Sequence, residues 1–136
     1  MSYEILEHTA DEKFKASGET LEEAFSEAVK AFSEIVGGFN GQTTYSIEIE
    51  SEGYEPLLFD FMDRLIFLQD TENVVVSHAE DLEIEDTEKG HKLSAKIWAD
   101  NIEETMSVMD VKAPTYSEMK AGFEEGKWKL QVVLDI

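Results

Sequence analysis

The sequence predicts an α+β fold: two helices packed on a mostly antiparallel, twisted sheet, in one domain spanning residues 1–136. Three observations carry that reading. Apolar residues recur at helical spacing from Leu21 to Ile35 and again from Leu57 to about Gln69. Several shorter segments alternate apolar and polar residues with the period of a half-exposed strand. Those strand patterns are densest in the second half of the chain, after the second helix, which suits an α+β chain.

The first element is a short strand at Tyr3-Glu4-Ile5-Leu6. The polar run Glu7-His8-Thr9-Ala10-Asp11 follows, and extended structure resumes at Phe14-Lys15-Ala16-Ser17. A strand-to-strand turn of that composition can bond its own backbone, or present an imidazole and a carboxylate on a rigid edge. Thr20 and Glu23 stand at the spacing of a capping box. Behind them Leu21, Ala24, Phe25, Ala28, Phe32 and Ile35 form an apolar stripe read as core packing, and Gly37-Gly38 stops the helix.

Tyr45, Ile47 and Ile49 alternate with polar residues as a strand. Gly53-Tyr54-Glu55-Pro56 is read as a turn leading into the second helix, whose apolar side carries Leu58, Phe61, Met62, Leu65, Phe67 and Leu68. A helix so apolar is a core helix or half of an interface. Val74-Val75-Val76 opens the strand-rich half, and Leu82–Glu85 and Leu93–Trp98 alternate across Glu88-Lys89-Gly90 as a hairpin. His78 and His91 lack metal spacing and are read as surface residues. Residues 100–106 read as an acidic loop. Val108–Val111 and Met119–Phe123 flank Lys112–Ser117, where Pro114 demands an edge strand or a bend. Glu124-Glu125-Gly126 turns the chain into the alternating last strand, Lys127–Leu134.

The composition narrows the function classes. With 42% hydrophobic residues the chain has the makings of a core, and 136 residues are enough to bury one. Against 31 acidic residues stand only 11 basic ones, a net charge of −20. Phosphate backbones are bound mainly through Lys and Arg, so independent nucleic-acid binding is not expected. A basic protein partner, bound cations or a merely solubilising surface all fit. Without cysteine there is no disulfide framework, thiolate catalysis or thiolate zinc site. No secretory signal precedes Tyr3, and no apolar run approaches the ~20 residues of a membrane span, so the expected location is cytoplasmic.

The last strand ends Leu134-Asp135-Ile136. Tied into the sheet, it sets the Asp135 side chain beside the α-carboxylate of Ile136, two anions that require a cation or donor. Should Asp11 lie on a neighbouring strand, three carboxylates meet, a hard-oxygen set suited to Ca²⁺ or Mg²⁺. The alternative is a solvated strand end.

Glu7-His8-Thr9-Ala10-Asp11, followed by Gly18-x-Thr20-Leu21-Glu22-Glu23-Ala24-Phe25, resembles the opening of the archease family. The resemblance continues through Leu57-Leu58 to Asp70-Thr71-Glu72 and Val111-Lys112-Ala113-Pro114-Thr115-Tyr116, and closes on Val133-Leu134-Asp135-Ile136. It implies a non-catalytic activator of an RtcB-type RNA-splicing ligase, promoting that enzyme's metal-dependent guanylylation and repeated turnover in tRNA splicing. It places the family's divalent-metal site on Asp11, Asp135 and the terminal carboxylate of Ile136, marks Lys112 as a further functional position, and gives His8 a supporting role beside the ligands. Ser117 stands where many relatives have His, and residues 100–106 are less typical. Some members are linked to tRNA methyltransferases, as modulators of specificity or aggregation. Two readings from other classes compete: a metal-dependent phosphohydrolase using Asp11, Asp135 and His8, and a small-molecule-binding module with a pocket under the second helix.

Overall fold

The computed structural model describes residues 1–7, 11–103 and 106–136. Among them, seven strands and two helices follow in the order β1 (Ser2–Glu7), β2 (Asp11–Gly18), α1 (Leu21–Val36), β3 (Thr43–Ser51), α2 (Tyr54–Glu72), β4 (Val74–Thr87), β5 (Gly90–Asn101), β6 (Ala113–Glu124) and β7 (Lys127–Asp135). The α+β class holds. The strands divide into two antiparallel sheets, β1-β2-β7-β6 and β3-β5-β4, where one was expected. Each helix touches both: α1 packs on β2 and on β4, and α2 on β6 and on β3. Phe25 of α1 and Phe61 of α2 meet at a ring-centroid distance of 5.9 Å, both fully buried. A buried Phe contributes on the order of 2 kcal/mol relative to an exposed one, so the core sits where the helices join the sheets.

The start of α1 is built as its sequence implies. The Glu23 N–H donates to Thr20 Oγ1 at 3.1 Å, and Glu23 Oε2 accepts from the Glu19 N–H at 3.0 Å. Gly37 ends the helix in the left-handed conformation with φ 93°. α2 starts earlier than the turn reading allowed: Gly53 is its extended N-cap, and Pro56 sits in the first turn, where a missing N–H costs nothing. Its Leu57, Leu58, Phe61, Met62, Leu65 and Ile66 are buried, which makes it a core helix, although Phe67 points outward at 60% exposure.

The second half needs two corrections. Asp100 is not in a loop: it lies in β5, 5% exposed, and both its carboxylate oxygens accept from the Gly41 N–H, at 2.9 and 3.0 Å. Asp100 and Asn101 extend the strand because a backbone donor satisfies the buried charge; of the expected loop, Glu104 and Thr105 lie outside the described residues. His78 and His91 are half-buried: His91 stacks on Tyr54 at 4.3 Å with Nδ1 2.8 Å from Asp86 Oδ1, and His78 stacks on Trp98. Residues 108–111, ahead of β6, are in neither helix nor strand.

Pro114 behaves as expected. β6 is an edge strand whose register against β7 shifts between Thr115 and Lys120, with Glu118 at φ 58°. The hairpin between β4 and β5 closes with Thr87 opposite Gly90. None of the helices is long and apolar enough to cross a membrane, among the described residues.

Candidate functional site

The four-stranded sheet has two distinct faces. Phe14 and Ala16 of β2 and Leu130, Val132 and Leu134 of β7 belong to the core. The alternate positions, Asp11, Lys13, Lys15 and Ser17 on β2 and Lys129, Gln131, Val133 and Asp135 on β7, turn the other way. At one end of this outward face Asp11 and Asp135 are direct partners in the antiparallel ladder. Opposed side chains in such a ladder have Cβ atoms about 4.5–5.5 Å apart. The condition on which the sequence reading depended, that Asp11 occupy a neighbouring strand, is met.

The third side is closed by β6. Ala113 is the partner of Asp135 on that strand, and the Lys112 N–H donates to the Asp135 carbonyl at 2.8 Å. The central strand therefore carries Asp135 between the first residue of β2 and the start of β6. Asp11 is half-buried, while Asp135 and the Lys112 side chain are exposed. Ile136, directly after Asp135, is 37% exposed. His8 and Thr9 lie outside the described residues.

Two carboxylates this close repel by about 1 kcal/mol in water-like surroundings and by more where water is excluded. A divalent cation is one group that can compensate such a pair, and an all-oxygen donor set suits a hard ion such as Ca²⁺ or Mg²⁺. The donor chemistry of Asp11 and Asp135 fits that group. Among the described residues no three His, Asp or Glu side chains converge as a metal site, so the described side chains contribute two donors.

Beside this pair the register shift in β6 builds a cover. Lys13, two residues along β2 from Asp11, meets Glu118 at 3.1 Å. The Gln131 side-chain amide donates to the Glu118 carbonyl at 2.6 Å. Val133, between Lys13 and Thr115 in the ladder, is left 1% exposed although it is on the outward face. On the core side of the same segment Tyr116 stacks on Phe59 of α2, with ring centroids 4.2 Å apart and planes 4° from parallel. Tyr116 is 56% exposed, yet partial desolvation pushes its hydroxyl pKa above the ordinary value, and the Asp60 carboxylate adds to the rise.

The comparisons with known proteins bear on what this end of the sheet belongs to. The model of the Archease protein family matches residues 3–136. The chain belongs to the archease family. The protein archease of Pyrococcus abyssi is 36% identical over 140 residues, covering 98% of each chain. That of Methanosarcina mazei is 34% identical over 139 residues, covering 98% of this chain and 95% of its own. The solution structure of protein 1598 from Methanobacterium thermoautotrophicum superposes with a TM-score of 0.85 at 31% identity over 99% of both chains. A crystal structure from Thermotoga maritima, described as an archease and possible chaperone, shares the fold with a TM-score of 0.67 at 23% identity, covering 96% of this chain and 94% of its own.

Sequence reasoning passed over Lys13, Glu118 and Gln131 and the stack of Tyr116 on Phe59. The period-two series Asp11, Lys13, Lys15 was the available signal for a shared face. The bulge that brings Glu118 to Lys13 had no signal beyond the irregularity marked by Pro114.

Proposed function

We propose that this protein is a non-catalytic activator of an RtcB-type tRNA-splicing RNA ligase, promoting the ligase's metal-dependent guanylylation and its multiple turnover. The observation that carries the reading is the opposition of Asp11 and Asp135, in a chain whose family membership spans residues 3–136. In this reading Asp11, Asp135 and the α-carboxylate of Ile136 hold a Ca²⁺ or Mg²⁺ ion. A bound divalent ion supplies concentrated positive charge that carboxylates and a partner's anionic groups can share. The chain's own residues align the donors: β7 presents Asp135 rigidly because both its neighbours are hydrogen-bonded strands. His8 takes a supporting role beside the ligands, and Lys112 contacts the partner.

The charge of −20 supports a protein partner with a basic surface over direct RNA binding. The working location is the cytoplasm, alongside tRNA processing. The test is GMP charging of the cognate ligase, followed with and without substoichiometric amounts of this protein. Charging and turnover should both rise, with no ligation or nucleotide hydrolysis by the protein alone. An unchanged charging rate up to molar excess would overturn the assignment.

A further inference from the structure

The other end of the outward face carries a second feature, which the carboxylate pair does not use. A cavity of about 510 Å³ lies there. Its floor is two adjacent cross-strand rows. In one, Gln131 of β7 stands between Lys15 of β2 and Lys120 of β6; in the next, Lys129 stands between Ser17 and Gly122. All six line the cavity. The volume is in the range of small-molecule sites, roughly 300–1,000 Å³.

Two observations point to a ligand. Lys15 and Lys120 form no ion pair among the described residues, although acidic residues outnumber basic ones 31 to 11. Among the described residues, Lys129 pairs only with Glu125 of the adjoining turn, at 3.4 Å. Gly122 is the second. It sits inside β6 without a positive φ, and a Cβ built on it would meet nothing within 4 Å. Neither backbone conformation nor packing calls for glycine at this position. A strand glycine weakens the strand and often marks the close approach of a ligand.

The ligand's chemistry follows from the lining. Ammonium groups act as point charges well matched to phosphate, and three of them around one amide suit a dianion better than a monocarboxylate. Gln131 is held in place by its bond to the Glu118 carbonyl. The Ser2 and Ser17 hydroxyls, 3.1 Å apart, and the carboxylates of Glu4, Glu55 and Glu124, which also line the cavity, suit a hydroxyl-bearing remainder. The overall charge of −20 penalises each further phosphate, which selects a compact ligand over a polyanion.

We propose that this groove binds a small phosphomonoester, its phosphate held by Lys15, Lys120 and Lys129 and its hydroxylated remainder lying over Gly122. The site is four residues along the strands from Asp11 and Asp135, about 13 Å at 3.3 Å per residue. It does not depend on the ligase reading.

The experiment is a nuclear magnetic resonance titration of the ¹⁵N-labelled full chain with ribose 5-phosphate, and with ribose as the control. Ribose 5-phosphate should shift the amides of Lys15, Ser17, Lys120 and Gly122, and ribose should leave them in place. Gly122→Val has room for its side chain and should stay folded while losing the response by about tenfold or more in affinity. The double variant Lys15→Gln/Lys120→Gln should lose it as well, whereas Asp135→Ala should respond like the wild type. No shift with ribose 5-phosphate, or an equal response in the double lysine variant, overturns the proposal. So does an oligoribonucleotide that binds these residues more tightly than the monoester.

Discussion

Asp11 and Asp135 are separated by nearly the whole chain and are direct partners across the ladder of β2 and β7. Like charges directly opposed on neighbouring strands destabilise a sheet by roughly 0.2–1 kcal/mol. Asp135→Asn should therefore leave stability unchanged or raise it by up to about 1 kcal/mol in chelator-treated buffer. With Ca²⁺ at a hundred times the dissociation constant, the wild type should gain about 2.7 kcal/mol, a gain the variant lacks. One residue added after Ile136 converts its carboxylate to an amide and should diminish the same gain. Thermal unfolding with and without Ca²⁺ checks all three; an equal Ca²⁺ response in wild type and Asp135→Asn would remove the pair from metal binding.

Lys112 adjoins the pair, and in the proposed reading its side chain contacts the partner. Its N–H is committed to Asp135, while its side chain is exposed, so Lys112→Ala keeps the strand bond and removes only the ammonium. The variant should melt within about 0.5 kcal/mol of wild type, as surface substitutions do, and activate the ligase less. Activation kinetics across a salt series test this. The wild type should dock faster at low ionic strength, since screening acts over about 8–10 Å at moderate salt.

Asp100 offers a stability prediction away from the site. Asp100→Ala leaves the Gly41 N–H without its carboxylate, a loss of about 1–3 kcal/mol. Gly41 cannot be repaired by substitution, because its φ is 79° and a Cβ there would lie 2.8 Å from the Trp98 Cβ. Urea unfolding should show a lower midpoint with an unchanged slope, and ligase activation below the transition should be retained. A midpoint equal to that of wild type would make the contact dispensable.

Tyr116 gives the pH dependence. Its hydroxyl is raised above 10.0 by partial desolvation and then by Asp60, so the folded state favours the neutral form. The stability this provides is complete below the unfolded value and is lost as pH rises through the folded value. The tyrosinate absorbance should contain a component titrating above 10.0 that disappears in Tyr116→Phe and moves down in Asp60→Asn. Titration of that component at or below 10.0 would contradict this account of the Tyr116 hydroxyl.

Local signals in the sequence were read well and distant pairings were not. The Thr20–Glu23 cap, the Gly37 stop and the edge character of β6 each depend on residues a few positions apart, where side-chain chemistry restricts the backbone directly. The division into two sheets depends on which strands find each other across the chain, as when β7 inserts between β2 and β6, and alternation alone does not encode partner choice. Asp100 was taken for a loop residue because a buried carboxylate looks identical to an exposed one until its donor, 59 positions away, is known. The meeting of Asp11 with Asp135 was legible only as a conditional: Asp135 and Ile136 adjoin in sequence, but only the ladder register adds Asp11.

The central claim, that the carboxylate pair is the working part of a ligase activator, is tested most directly by counting ligation events per ligase molecule under multiple-turnover conditions. Substoichiometric wild-type protein should carry the cognate ligase through many cycles, and folded Asp135→Ala at the same concentration should leave it near the count without activator. Equal counts with wild type and Asp135→Ala would contradict the claim.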